Sequence, residues 1–300
     1  MMECKIIVLM STYNGERYLR EQIDSILAQR GVNVCLLVRD DGSIDGTLNI
    51  LNEYQSAGKL TFYTGANLGP QLSFMHLLQH ATDSDYYAFA DQDDYWMDDK
   101  LLSAINSLNE KENVPALYFS QTQLVNERLE PIKSVIINPL MTFGEALIYK
   151  FVGGCTMVMN HELRKAISNR LPSRMPMHDI WIYTMAMAIN AFVYFDKTPH
   201  ILYRQHGDNA VGQGQGFLYD WKLRLKRLLS NSNERYTQAK GLLDCYKNII
   251  PKENLKLLTT FVDGKSSFRK RMSILLDNRF RCSDTTTQVL FWINLLLNKY

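Results

Sequence analysis

Tyr86-Tyr87-Ala88-Phe89-Ala90-Asp91-Gln92-Asp93-Asp94 passes from an apolar run straight into carboxylates. A buried strand that stops this way places hard oxygen ligands at the edge of a sheet. Such ligands suit Mg2+ or Mn2+, which in turn suit a diphosphate. A second run of the same form lies upstream, where Val34-Cys35-Leu36-Leu37-Val38-Arg39 leads into Asp40-Asp41-Gly42-Ser43. Two strands thus deliver acid to one edge.

Outward from these runs, the first hundred residues alternate between strand and helix periods. Lys5–Met10 reads as a buried strand. Glu16–Gln29 reads as a helix, with Leu19, Ile23, Ile26 and Leu27 at helical spacing and Asn14 as its cap. After the Val34–Arg39 strand, a helix carrying Leu48, Leu51 and Tyr54 is capped by Asp45 or Ser43 and stops near Gly58. Leu60–Tyr63 is a third strand, and Pro70 opens a helix with Phe74, Leu77 and Leu78. Tyr86–Ala90 is the fourth strand and Lys100–Leu108 the next helix, with the Asp91 cluster leading towards it from near Asp98. Repeats of this kind imply an α/β fold with a parallel sheet and right-handed crossovers, whose ligands sit beyond the carboxyl ends of the strands. Every polar motif falls at such an end: Ser11-Thr12-Tyr13-Asn14, Asp40-Asp41-Gly42-Ser43, Asn67-Leu68-Gly69 and the Asp91 cluster.

Past residue 112 the pattern predicts a strand over Ala116–Val125 and a short helix over Phe143–Lys150. A strand follows over Cys155–Met159, opened by Gly153-Gly154, then a helix over His178–Ile189 and strands at Phe192–Phe195 and His200–Tyr203. The glycine-rich stretch Gly207–Gly216 marks a boundary. The expected division is a catalytic α/β part, 1–212, with halves of about 1–100 and 101–212, followed by a mainly helical region, 217–300.

The 300 residues suffice for one large α/β domain, or one of about 200 residues with an appendage. With 46% hydrophobic and 21% charged residues, the composition is that of a globular protein and excludes global disorder. Five cysteines, widely spaced and without a C-x-x-C pair, disfavour a disulfide framework or a structural zinc site and fit a reducing compartment. The amino terminus lacks a signal-peptide layout, and the most apolar late segment, Val289–Leu297, is far shorter than the roughly 20 residues of a membrane span. A cytoplasmic location is the expectation. The net charge of +2 conceals an asymmetry: residues 216–300 carry 16 basic and 7 acidic side chains, leaving 17 and 24 for the rest. A basic tail on an acidic body suggests that the tail faces something anionic.

Each motif carries a plain reading beside a chemical one. The Asp91 cluster is either a polar turn before a helix, or a D-x-D set in which one carboxylate takes a metal and another a ribose hydroxyl; its like charge calls for a cation. Asp40-Asp41-Gly42-Ser43 is turn chemistry, or a carboxylate that accepts the N3–H of a uracil or thymine ring, with Tyr13 either packing or facing that base. His178-Asp179, after Pro172-Ser173-Arg174-Met175-Pro176, is either a helix-start acid or a general base that takes a proton from an acceptor hydroxyl. Tyr203-Arg204-Gln205-His206-Gly207 is a solvated strand end, or a place where Arg204 neutralises a departing diphosphate and His206 binds metal or phosphate. Trp221–Leu229 and Ser266–Met272 mix basic and apolar residues, as a solvated helix or an interfacial one would. No stacking platform or nucleic-acid motif accompanies that charge, so no nucleic-acid partner is expected.

Taken together, Ser-Thr-Tyr-Asn, Arg-Asp-Asp-Gly-Ser, Asn-Leu-Gly, Ala-Asp-Gln-Asp-Asp-Tyr-Trp, His-Asp and Tyr-Arg-Gln-His-Gly-Asp-Asn resemble, in order, the motifs of family 2 glycosyltransferases, and among these the bacterial rhamnosyltransferase type. The resemblance covers roughly residues 4–212. It implies a GT-A fold and a metal-dependent, inverting transfer of one sugar, rhamnose by similarity, from a dTDP or UDP sugar to a glycan or lipid-linked acceptor in cell-surface polysaccharide assembly. It implies that Tyr13 and Asp41 meet the base with Asp40 nearby, and that Ser11, Asn67 and Gly69 belong to the same nucleotide-sugar lip. Asp91 would meet the ribose or sugar, Asp93 and His206 the Mg2+ or Mn2+, and Arg204 the diphosphate. Asp179 would be the base, with His178 and Gly154 tuning it or meeting the acceptor. Many relatives have Glu-Asp where this chain has His178-Asp179. The Gln-x-x-Arg-Trp element of processive synthases is absent, which argues for one sugar per encounter.

A sugar-phosphate nucleotidyltransferase would share the sheet and metal, although Ser11-Thr12-Tyr13-Asn14-Gly15 lacks its glycine-rich basic loop. A non-catalytic sugar-nucleotide or glycan-binding module is disfavoured only by the presence of Asp93 together with Asp179. The basic tail predicts a peripheral hold on the anionic inner face of the cell membrane.

Overall fold

Strand β1 (Lys5–Thr12) is the spine of the molecule, hydrogen-bonded in parallel on one side to β2 (Asn33–Asp40) and on the other to β4 (Tyr86–Ala90). A computed structural model describes residues 4–111, 113–134, 136–168, 170–172, 174–206 and 233–300. The seven-stranded sheet runs β3-β2-β1-β4-β8-β6-β9, where β3 is Thr61–Thr64, β6 Ala116–Ser120, β8 Val158–Asn160 and β9 Phe192–Asp196. The β3, β2, β1 and β4 strands are parallel, β8 is antiparallel to both β4 and β6, and β9 is parallel to β6. A mostly parallel sheet flanked by helices is what the sequence predicted.

The period of two in β1 explains why both faces are covered. Ile7 and Leu9 enter one core, whereas Ile6, Val8 and Met10 enter the other. The second core is closed by α1 (Leu19–Leu27), α2 (Thr47–Ser56) and α4 (Lys100–Leu108) through Leu19, Ile23, Ile50, Leu51, Leu101 and Ala104. The first is closed by α3 (Pro70–His80), α6 (His161–Ser168) and α7 (His178–Ala188). The leucines and isoleucines among them each contribute about 1.5–3 kcal/mol when fully buried.

Several boundaries differ from expectation for local reasons. Asn14 does not cap α1; it sits at φ 49 and its side chain accepts the Ile44 N–H at 2.9 Å, while Glu16 accepts the Gly46 N–H at 2.8 Å. The first turn of the anticipated helix is therefore spent lacing two loops together, and α1 begins at Leu19. Asp45 accepts the Thr47 N–H at the start of α2, while Ser43 serves Asp40 instead. The expected strand over 116–125 is two, because the chain leaves β6 for a second sheet, β5-β10-β7, made of Tyr95–Trp96 (β5), Ile201–Arg204 (β10) and Gln123–Val125 (β7). The helix expected over 143–150 is the single turn α5 (Phe143–Ala146), capped by Thr142. Gly154–Thr156 forms a 3-10 turn rather than the start of a strand. Neither β5 nor α6 was anticipated.

The end of the chain is helical, as expected: α8 (Glu234–Tyr246), α9 (Lys252–Asp263), α10 (Phe268–Leu276) and α11 (Thr285–Leu296). The anticipated boundary at Gly207–Gly216 and the Trp221–Leu229 segment lie outside the described residues. Leu242, Leu258, Phe261, Phe291 and Leu295 join the same core as Phe74 and Tyr183. Glu145, fully buried on α5, accepts both the N–H and the hydroxyl of Ser283 at 2.8 Å, and Asn254 donates to the Ala188 carbonyl at 2.9 Å. Gly144 lies so close to the Arg279 carbonyl that a Cβ there would collide with backbone.

Candidate active site

Parallel pairing aligns the carboxyl ends of β1, β2 and β4, so Thr12, Asp40 and Asp91 open onto one rim. Gln92 joins two of these ends. Its Oε1 accepts from the Thr12 hydroxyl at 2.7 Å and the Tyr13 N–H at 2.8 Å, and its Nε2 donates to the Tyr13 carbonyl. The ring of Tyr13 remains 46% exposed at that lip. Ser11 is hydrogen-bonded to Ser73 of α3 at 2.6 Å, which places it behind the lip.

Both carboxylates of the second motif are buried and engaged. Asp40 accepts the Gly42 and Ser43 N–H groups at 3.0 Å and the Ser43 hydroxyl, so it makes its own turn. Gly42 takes φ 85, a conformation that favours glycine. Asp41 pairs with Arg39 through one oxygen and accepts the Leu68 and Gly69 N–H groups at 2.9 Å through the other. It thereby docks the Asn67-Leu68-Gly69 loop against the rim, where Asn67 is exposed and accepts from Gly69. Gly69, at φ 74, precedes Pro70 at the start of α3.

At the centre, Asp91 is half-buried and its carboxyl is pushed up to about 7, first by burial and then by the negative charges of Asp93 and Asp179. The end of β4 and the first turn of α7 therefore share one electrostatic site. Asp179 accepts the Gly154 N–H at 3.2 Å. Asp93 meets His206 at 2.8 Å, and the His206 ring lies 5.2 Å from that of Tyr18. Concentrated carboxylate charge, hard oxygen donors and one imidazole form a donor set that fits Mg2+ or Mn2+.

Arg204, expected to face the diphosphate, is engaged by protein groups. Its guanidinium is buried over the Tyr18 ring at 4.4 Å, donating to the Asp93 carbonyl at 2.8 Å, to the Glu127 carbonyl and to the Glu21 carboxylate. The Arg204 N–H donates to Asp94 at 3.1 Å. A guanidinium enclosed on all these sides braces the Asp93 loop. Facing a diphosphate would cost it those partners.

Beneath the rim, Asp91, Asp94 and Cys155 bring their ligand atoms within 4.8 Å of one another. Asp94 and Cys155 are buried, and burial holds both protons well above the usual range. A thiol is a soft ligand and suits a hard cation less well than the carboxylates beside it. Lys100 lies in the same layer. It is fully buried, its ammonium 3.7 Å from the Trp96 ring centroid, and burial pushes it down to about 7.

His178 is buried between Phe74, at 4.1 Å between ring centroids, and Phe89, at 5.1 Å. Burial lowers its pKa, which keeps the ring neutral at neutral pH, and neither nitrogen has a hydrogen-bond partner. Gly154 touches it so closely that a Cβ would collide with Nε2. His178 and Gly154 together form the wall beside Asp179.

Sequence reasoning missed Glu21, Tyr18, Glu127, Cys155 and Lys100. Lys100 had a signal, since it stands at helical spacing from Ala104 and Leu108 on the buried face. The pairing of Glu21 with Arg204 spans 183 residues and had none.

A family model described as Glycosyl transferase family 2 matches residues 7–167. The chain is 31% identical over 249 residues to the dTDP-rhamnosyl transferase RfbG of Shigella flexneri, covering 76% of this chain and 80% of that one. Among solved structures it resembles S. aureus TarS 1-349 in complex with UDP-GlcNAc, with a TM-score of 0.59 and 17% identity over 98% of this chain and 90% of that one. It also resembles the mannosyltransferase PcManGT from Pyrobaculum calidifontis in complex with GDP-Man and Mn2+, with a TM-score of 0.51 and 16% identity over 99% and 87%.

Proposed function

We propose that this chain, which belongs to glycosyl transferase family 2, moves one sugar from a nucleoside-diphosphate donor to a hydroxyl of a glycan or lipid-linked acceptor, with inversion and with Mg2+ or Mn2+. That it is a glycosyltransferase of GT-A type follows from the family. The mechanism, the metal and the acceptor are our reading. One observation carries it: Asp93, 2.8 Å from His206, and Asp179, held by the Gly154 N–H at 3.2 Å, both act on the Asp91 carboxyl that follows β4.

Asp93 and His206 would hold the cation, which when bound supplies charge neutralisation for a departing diphosphate. Asp179, held by the Gly154 N–H, takes the proton of the acceptor hydroxyl. The acceptor oxygen forms its bond to the anomeric carbon as the bond from that carbon to the phosphate oxygen breaks, and the electron pair leaves with the diphosphate. A base on the opposite face from the leaving group gives inversion. The neutral His178 keeps the wall beside Asp179 free of a competing positive charge. Tyr13 offers its exposed ring to the base, Asp41 holds the loop through Asn67 and Gly69 that flanks it, and Asp91 meets the ribose or the sugar. The similarity to RfbG supports a dTDP donor carrying rhamnose, and UDP sugars are the competing class. Such a donor places the reaction on the cytoplasmic side, in polysaccharide assembly.

Two variants test this. Asp93→Ala should lose transfer together with metal-dependent binding of the donor. Asp179→Asn should bind the donor normally while turnover falls roughly 10²–10⁴-fold, the contribution of a placed general base. Near-normal turnover in Asp179→Asn would remove the base assignment. A panel of donors, read by released nucleoside diphosphate, identifies the sugar and the base.

A further inference from the structure

Helix α11 has two apolar faces. The inner one, with Phe291 and Leu295, packs against Phe261 and Tyr300, the Phe291 and Phe261 rings stacking at 6.0 Å. On the outer side Val289, Ile293, Leu296 and the following Leu297 are between 38% and 54% exposed. Steps of four, three and one residues align these four on one stripe, opposite the buried positions Gln288, Phe291, Asn294 and Leu295. No charged side chain occurs from Thr285 to Asn298. A helix on the surface of a globular protein ordinarily carries its charges on the outer face, and this one carries leucine, isoleucine and valine there.

Basic side chains stand on the neighbouring elements. Packed against α11 is α10, which exposes Phe268 and Arg269 and also Lys270, paired with Asp263 at 2.9 Å. Lys299 follows α11, and the Arg281 guanidinium lies 5.2 Å over the Trp292 ring. Residues 233–300 contain 12 basic and 6 acidic side chains. That excess decides between occupants. A second copy of the chain would bring the same positive excess against this one. A bilayer with anionic headgroups matches both the apolar stripe and the cations around it.

We propose that the outer stripe of α11, flanked by the basic side chains of α10 and Lys299, docks the protein on an anionic bilayer surface. At 12 residues α11 is about 18 Å long, and no described helix is long and apolar enough to cross a membrane, so the contact lies in the plane of the interface. The surface differs from the anticipated one: Trp221–Leu229 lies outside the described residues, and Ser266–Met272 contributes only its cations and Phe268. The inference is independent of which residues catalyse transfer.

The experiment is flotation of the full chain with vesicles of phosphatidylcholine alone or with about a third phosphatidylglycerol, at low and high salt. Wild type should float with the anionic vesicles, and less so at high salt. Ile293→Glu/Leu297→Glu should reduce the floated fraction at least tenfold while thermal unfolding stays cooperative. The milder Val289→Gln/Leu296→Gln serves if the charged pair does not fold. Ile136→Glu, which changes an exposed residue elsewhere, should float as wild type does. Failure of wild type to float with either vesicle, or equal flotation of the stripe variants, would overturn the proposal. A dimer by light scattering that the stripe variants convert to monomer would also overturn it, assigning the face to self-association.

Discussion

Arg204 and Lys100 are two cations of one site with opposite needs. Arg204 is buried with its planar fork matched by two carbonyls, a carboxylate and an aromatic face, so its charge is compensated. Arg204→Lys keeps the charge and loses the fork. We expect a lower Tm together with lower kcat, because Asp93 loses its brace. A weakened donor KM with Tm unchanged would instead return Arg204 to direct contact with the diphosphate. Lys100 lies over the Trp96 ring with no hydrogen-bond partner, and burial, only partly offset by the charges of Cys155 and Asp94, lowers its pKa from 10.5 to about 7. Between those values the unfolded chain binds the proton and the folded one does not, so this group's contribution to stability rises with pH from about 7 to 10.5 and is lost as pH falls to 7. Lys100→Met should therefore raise Tm by several degrees at pH 7, and its advantage over wild type should shrink towards pH 10. An advantage independent of pH would show that desolvation of the ammonium is not the cause.

Among the described α-helices, α5 is the shortest, and it ties the last helices to the catalytic part. Its single turn survives because Thr142 caps it and because Glu145 receives Met141 on one oxygen and Ser283 on the other. Gly144 is the contact point with the Arg279 carbonyl. Gly144→Ala must push backbone against backbone, at a cost of roughly 1–3 kcal/mol or more. Denaturant unfolding should show it as a lower midpoint. An unchanged midpoint would mean that the last helices slide without loss. Elements with strong periodicity were legible in the sequence: β4 and α4 have the bounds that their apolar spacing predicted. The β5 strand of two residues was not, because so short a run carries no period and exists only through the strand that pairs with it, whereas the strand expected over Cys155–Met159 was found shorter and shifted, as β8.

For the whole molecule, the charge boundary near residue 216 differs from the packing boundary. Leu242, Leu258, Phe261 and Phe291 share a core with Phe74 and Tyr183, so we propose that the catalytic part and the last helices fold as one unit. A chain ending at residue 206 should expose that core and be recovered insoluble or without a cooperative transition. A soluble, cooperatively unfolding fragment would restore an independent domain. The rim that carries Thr12, Asp40 and Asp91 was legible as a set of strand ends, because parallel pairing carries the carboxyl ends of β1, β2 and β4 to the same side.

Resemblance of its motifs to a family pointed to a glycosyltransferase, while the sequence itself determined the strand-helix alternation and the edge on which Asp40, Asp91 and Asn67 fall. These depend on local spacing and on the handedness of crossovers, both of which are short-range. Only the tertiary structure decided that Arg204 is enclosed by Glu21, Glu127 and the Asp93 carbonyl, that Asp41 accepts from the Leu68 and Gly69 N–H groups, that Lys100 is buried over the Trp96 ring, and that α11 turns an apolar stripe outward. Each depends on which distant side chain arrives first at a given polar atom or apolar face. Glu21 and Arg204, 183 residues apart, could be brought together only by closing the fold.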